Sequence, residues 1–207
     1  MNTSTSSPAT DATPTIATVN FLRLVLTGFM GAGKTTIGRL LAARLGWDFI
    51  DLDAYIESRT GLSVPSIFAA HGEAHFRQLE SQALASTLAR SNIVLALGGG
   101  TPEILTNRLL LEQTPATATI FLDAPFATLI DRCMLQAISP PPESRTHGLP
   151  QARPLLADPA AAEARFLARQ PIYRRLARVT LNTATLTTEE TITVLLASLN
   201  ELPSPRS

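Results

Sequence analysis

Lys34 is the only lysine in the 207-residue chain, and it lies where a lysine has a defined chemical task. It belongs to Gly28-Phe29-Met30-Gly31-Ala32-Gly33-Lys34-Thr35, which fits the phosphate-binding pattern G-x-x-x-x-G-K-[ST]. A compact ammonium can sit between the β- and γ-phosphates of a nucleotide as a point charge, where a planar guanidinium does not fit. The glycines let backbone N–H groups face the phosphates, and the N-terminus of a following helix adds partial positive charge. The Thr35 hydroxyl would then reach a Mg²⁺ ion.

Other residues could take part in phosphoryl transfer. Asp51 and Asp53 lie two apart after a short apolar run. If that strand carries on through Asp53, both carboxylates point the same way. One near Mg²⁺ and one near an acceptor hydroxyl is a workable layout. Paired acids at a strand end are otherwise ordinary solvated surface. Gly98-Gly99-Gly100 follows a second apolar run and permits close backbone approach by a ligand, or forms a flexible turn. Arg77, Arg132, Arg153 and Arg169 are candidate anion binders, since arginine forks match carboxylate and phosphate. His71, His75 and His147 lack metal-ligand spacing and read as surface residues. Phe68 and Phe76 read as core, and Cys133 as a small buried hydrophobe.

The elements that must position these groups alternate between strand and helix. Strands are expected at 21–27, 47–51, 93–97, 118–122 and 179–181. Helices are expected after Lys34 up to Gly46, at 54–59, 64–70, 73–89, from Pro102 onward, at 125–137 and at 188–199, with breaks at Gly61 and Gly72. This order implies an α/β fold of three layers, a parallel five-stranded sheet with helices on both faces. In such sheets ligands sit at the carboxyl ends of the strands, so the phosphate loop, Asp51 to Asp53 and the triple glycine should share one cleft. The proline-rich stretch at about 138–157 reads as a mobile lid, or as a solvated connector.

Composition narrows the classes. Formal net charge is zero and no basic stripe appears, which argues against a nucleic-acid binder. A single cysteine suits a reducing cytoplasm, and no apolar run is long enough to span a bilayer. Residues 1–20 read as a disordered tail, 21–201 as one domain and 202–207 as a frayed end.

Taken together, these segments resemble the shikimate kinase family, small P-loop kinases of the nucleoside-monophosphate-kinase type. The resemblance rests on 28–38 (GFMGAGKTTIG), Phe49-Ile50-Asp51-Leu52-Asp53, Ile67-Phe68 and 72–80 (GEAHFRQLE). Gly98-Gly99-Gly100, Arg153-Pro154-Leu155-Leu156 and Arg169-Gln170-Pro171-Ile172-Tyr173 complete it in the family's order. It implies transfer of the γ-phosphoryl of ATP to the 3-hydroxyl of shikimate by a chain acting as a monomer. In that reading Gly31, Ala32, Gly33, Lys34, Thr35 and Thr36 hold the ATP phosphates, and Arg132 stacks near adenine. Thr35 and Asp51 handle Mg²⁺. Asp53 binds the acceptor hydroxyls and is the candidate base, and Arg153 comes down with the lid onto the moving phosphoryl group. Arg77 and Arg169 clamp the shikimate carboxylate, and Gly98, Gly99 and Gly100 line its hydroxyls.

Rival readings are a gluconate or nucleoside-monophosphate kinase, a GTP switch, and a kinase-like domain without catalysis. A GTP switch needs an Asn-Lys-x-Asp element, which a chain whose only lysine is Lys34 cannot contain. The Phe-Arg-x-x-Glu at 76–80 favours shikimate over gluconate.

Overall fold

The structure is a computed structural model describing residues 17–138 and 158–203. Most of the expected tails, nearly all of the expected lid, and with it Arg153, lie outside the described residues.

Five strands form the sheet: β1 (Arg23–Thr27), β2 (Asp48–Asp51), β3 (Ile93–Ala96), β4 (Thr117–Asp123) and β5 (Val179–Asn182). Their order is β2-β3-β1-β4-β5, and every pairing is parallel. The helices are α1 (Lys34–Leu45), α2 (Leu52–Thr60), α3 (Val64–Leu88), α4 (Leu105–Gln113), α5 (Phe126–Ile138), α6 (Pro159–Leu176) and α7 (Thr188–Glu201). Parallel strands buried on both faces need apolar side chains at successive positions rather than alternate ones. Leu24, Val25 and Leu26 of β1 and Ile93, Val94 and Leu95 of β3 meet that need, all fully buried.

Alternate residues feed two cores. Leu24, Leu26, Val94 and Ile120 pack with Ile37 and Leu41 of α1 and Ile192 and Leu195 of α7. Val25 and Leu95 face the other way, onto Ile56 of α2 and Ile67, Phe76 and Leu84 of α3. Phe76 lies in this core as expected, whereas Phe68 is only partly buried and packs against it, with the two ring centroids 4.8 Å apart. Packing begins by Ala17, whose N–H donates to the Arg44 carbonyl at 3.0 Å.

Helix boundaries follow local chemistry. Gly61 closes α2 in the left-handed conformation, and Gly72 (φ 79°, ψ 171°) interrupts α3 at the expected break. Pro102 starts no α-helix: it lies in a 3₁₀ turn (Thr101–Glu103), and α4 begins only at Leu105. Helix α6 is not among the expected elements. Its start is nonetheless written in the sequence, for the Asp158 carboxylate accepts from the Ala161 N–H at 3.0 Å and Pro159 occupies the first turn. The proline-rich stretch before it and Pro171 inside it obscure the helical pattern.

Candidate active site

The phosphate loop leaves β1 at Gly28. A Cβ there would sit 2.6 Å from the Leu122 carbonyl oxygen, and φ is 148°, so only glycine lets β1 turn this close to β4. Gly33 (φ 88°) caps the N-terminus of α1, and Lys34 follows as its first residue. The Lys34 ammonium donates to the carbonyls of Gly28 at 2.8 Å and Phe29 at 3.1 Å, folding back over the loop. Cys133 is buried against the underside of this loop, where a Cβ on Gly31 would come 3.0 Å from its Sγ.

Beside the loop, Gly31, Ala32, Gly33 and Thr36 line a cleft of about 300 Å³ with Arg132, Thr183 and Leu186. Arg132 is fixed at its rim by donating Nη1 to the Thr183 hydroxyl at 3.1 Å and Nη2 to the Thr183 carbonyl.

Asp51 closes β2 and opens α2. Strand β2 does not continue through Asp53, so the expected side-by-side projection of the two acids does not occur. Instead Asp51 Oδ1 accepts from the N–H groups of Asp53 at 3.2 Å and Ala54 at 3.4 Å, an N-cap that forces the turn into helix. Its other oxygen accepts from the Thr35 hydroxyl at 3.0 Å. A hydroxyl and a carboxylate meeting at the mouth of a phosphate loop are hard oxygen donors of the kind Mg²⁺ takes. No cluster of three metal-ligating side chains occurs among the described residues. Magnesium in nucleotide sites needs only one or two protein oxygens, with phosphates and water completing its shell, so this donor pair suits it.

Asp53 lies in the first turn of α2, and its pKa is pushed up to about 7. Burial is the main cause; the neighbouring charges of Asp51, Glu80 and Glu57 add to it, while Lys34 opposes. A carboxyl tuned to neutrality can accept a proton near physiological pH.

The triple glycine collects the remaining groups. A Cβ on Gly98 would lie 3.0 Å from both Asp53 Oδ1 and Glu80 Oε1. One on Gly99 would lie 3.3 Å from Arg169 Nη1, and one on Gly100 only 2.6 Å from Arg77 Nη2. Gly98 to Gly100 thus make room for protein side chains, Gly98 for two carboxylates and Gly99 and Gly100 for one guanidinium each. Arg77 comes from α3 and Arg169 from α6, so two helices far apart in the chain each bring a guanidinium to this turn.

Three residues named above only within motifs prove to organise the site. Glu80, 1% exposed, accepts from the Thr101 hydroxyl at 2.6 Å and from Arg77 Nη1 at 2.9 Å. Burial works against the Arg77 charge, but Glu80 and Glu73 outweigh it and hold the guanidinium protonated. The Tyr173 hydroxyl donates to the Gly99 carbonyl at 2.6 Å, tying α6 to the turn; burial raises its phenol above the usual range. Glu73 accepts from Arg77 Nη2 at 3.0 Å. Glu103, outside every motif, accepts from Arg169 Nη2 at 2.8 Å. Helical spacing could have disclosed Glu80, which lies three residues after Arg77 on one face of α3.

Of the expected site residues, the loop set, Thr35 and Asp51 gather at one end of the cleft. Asp53, Arg77, Gly98 to Gly100 and Arg169 gather beside it, and Arg132 lines the flanking pocket. Arg153 lies outside the described residues. His71 and His75 are exposed on α3, with rings 4.9 Å apart. Among the described residues, no helix is long and apolar enough to cross a membrane.

Known proteins resemble this chain along most of its length. The sequence profile of the family described as Shikimate kinase matches residues 30–200. A shikimate kinase of Nitrobacter winogradskyi is 41% identical over 182 residues, 84% of this chain and 78% of that protein. One from Symbiobacterium thermophilum is 38% identical over 183 residues, 87% of this chain and 97% of its own. Among solved structures, a shikimate kinase from Acinetobacter baumannii in complex with shikimate superposes with a TM-score of 0.73. It is 31% identical and covers 88% of this chain and 96% of its own. With its phosphate loop, paired carboxylates and two inward arginines on a five-stranded parallel sheet, this chain belongs to the shikimate kinase family.

Proposed function

We propose that this protein transfers the γ-phosphoryl group of ATP to the 3-hydroxyl of shikimate, giving shikimate 3-phosphate and ADP. The carrying observation is the meeting of a neutral-range carboxyl, Asp53, with two guanidinium groups at the glycine turn beside a phosphate loop. A small acid bearing hydroxyls needs a cationic grip for its carboxylate and an acceptor for its hydroxyl protons.

The N–H groups of Gly31 to Thr36 cradle the ATP phosphates, and Lys34 swings from its carbonyl partners onto the β- and γ-phosphates. Arg132 borders the adenine. Thr35 and Asp51 would hold Mg²⁺, which when bound neutralises phosphate charge. Arg77 and Arg169 take the shikimate carboxylate and orient the ring against Gly99 and Gly100. Asp53 accepts a hydrogen bond from the 3-hydroxyl. As that oxygen bonds to the γ-phosphorus, its proton passes to Asp53 and the bond from the γ-phosphorus to the bridging oxygen breaks, releasing ADP. Little covalent work falls to the protein, so position and charge dominate. Arg153 is assigned to the moving phosphoryl group, as the family's motif implies. We place the protein in a cytoplasmic setting as a monomer, a setting that the single cysteine suits.

Steady-state kinetics with two variants test the roles. Lys34→Ala should lower kcat by roughly 10²-fold or more. Asp53→Asn should lower it by about 10²–10⁴-fold while MgATP still binds, as read by calorimetry. Wild-type turnover in Asp53→Asn would remove Asp53 from the mechanism.

A further inference from the structure

Both guanidinium groups at the glycine turn already hold carboxylates supplied by the protein. Arg77 gives Nε and Nη2 to a single oxygen of Glu73, at 3.3 and 3.0 Å, and Nη1 to Glu80 at 2.9 Å. Arg169 gives Nη2 to Glu103 at 2.8 Å. These partners differ in depth. The Glu80 side chain is 1% exposed and also fixed by Thr101, whereas those of Glu73 and Glu103 are 66% and 41% exposed. Glu80 is a permanent strut. The other two sit on the solvent side of the arginines, where an incoming anion would arrive.

The pairs are also incomplete. Arg169 Nε is buried with no hydrogen-bond partner among the described residues, so Glu103 satisfies one nitrogen of a fork that could serve two. Charge points the same way: two guanidinium groups (+2) face Glu73, Glu80 and Glu103 (−3), a balance of −1 before any substrate enters. Within these ion pairs, an anionic acceptor is best accommodated where it replaces a resident carboxylate.

We propose that Glu73 and Glu103 are stand-ins for the substrate's carboxylate. They hold the two arginines in position while the site is empty and give them up on binding, and so set how strongly and how selectively the site takes a carboxylate. This rests on the reading of Arg77 and Arg169 as the carboxylate clamp. Exposed ion pairs are weak, so each stand-in can be displaced and should affect affinity only modestly.

Kinetics of the full-length chain test the proposal, with Glu73→Gln, Glu103→Gln and the double variant. Each single change should lower KM for shikimate by about two- to fivefold, the double more, with KM for MgATP unmoved. For the shikimate analogue whose carboxylate is reduced to hydroxymethyl, neither change should lower KM, a discrimination that altered packing would not produce. Unchanged or raised KM for shikimate in these variants overturns the proposal. Arg77→Ala and Arg169→Ala separate the two levels. If they raise KM for shikimate while the glutamine variants fail to lower it, the clamp stands and the stand-ins fall. If they leave KM for shikimate unmoved, the clamp itself is wrong.

Discussion

Asp53 is held where its charge is unwelcome. Its folded pKa, about 7 against the usual 3.8, means the native state binds a proton between those values that the unfolded chain has released. A raised carboxyl therefore makes the fold less stable as pH climbs through this window, by up to about 1.4 kcal/mol for each pH unit crossed. Asp53→Asn should remove that penalty: at pH 8 its Tm should exceed that of the parent, and at pH 4 the difference should shrink. The same titration governs turnover. Only the ionised form can accept a proton, so kcat/KM for shikimate should fall below about pH 7. A flat pH–rate profile across pH 5–8 would show that Asp53 does not titrate in the catalytic cycle. The lone lysine, the acid pair and the arginines are legible as chemistry in the chain because their types are rare or their spacing motif-bound. The elevated pKa is not: the spacing shows Asp51 beside it, but the main cause is burial, and Glu80 adds to it from a helix that comes close only in the folded chain.

At the scale of elements, the turn after β3 is the pivot of the proposed acceptor site. Three glycines after an apolar strand suggest room for a ligand; the room is taken by Asp53, Glu80, Arg169 and Arg77. Gly100→Ala should thrust a methyl group against the Arg77 guanidinium, which a Cβ there would meet at 2.6 Å. The expected result is a rise in KM for shikimate of roughly tenfold or more, with KM for MgATP little changed, measured by initial rates. Equal kinetics would mean that Arg77 moves aside without loss and does not grip the substrate from this position. The three central strands β1, β3 and β4 can be read from hydrophobic runs, since a strand buried on both faces advertises itself; the edge strands β2 and β5 are exposed at alternate positions or in part and leave a weaker mark. Helix α6 cannot be read so easily. Its apolar contacts come from a few large residues, Phe166, Tyr173 and Leu176, among exposed arginines and alanines, and its cap follows a proline-rich stretch. The side-by-side Asp pair fails for a related reason: a carboxylate at a strand end can cap the next helix, and Asp51 does.

Across the whole molecule, the strand order β2-β3-β1-β4-β5 brings the carboxyl ends of β1, β2 and β3 together, so that three segments far apart in the chain meet, Thr35 bonding to Asp51 and Gly98 lying against Asp53. Helix α6 completes this junction from the other side, docked on β4 by Arg174 to Asp123 at 3.0 Å and on the glycine turn by Tyr173. In the proposed reading, nucleotide and acceptor are addressed by different elements, the phosphate loop and α1 for one, α3, α6 and the glycine turn for the other. The most direct test is phosphoryl transfer from MgATP with shikimate, gluconate, quinate and CMP offered separately, following ADP release and locating the new phosphate by ³¹P and ¹H NMR. The account predicts rapid ADP release with shikimate alone and a product phosphorylated at the 3-hydroxyl. Release with gluconate or CMP at a comparable rate, or none with shikimate while ATP still binds, would contradict it.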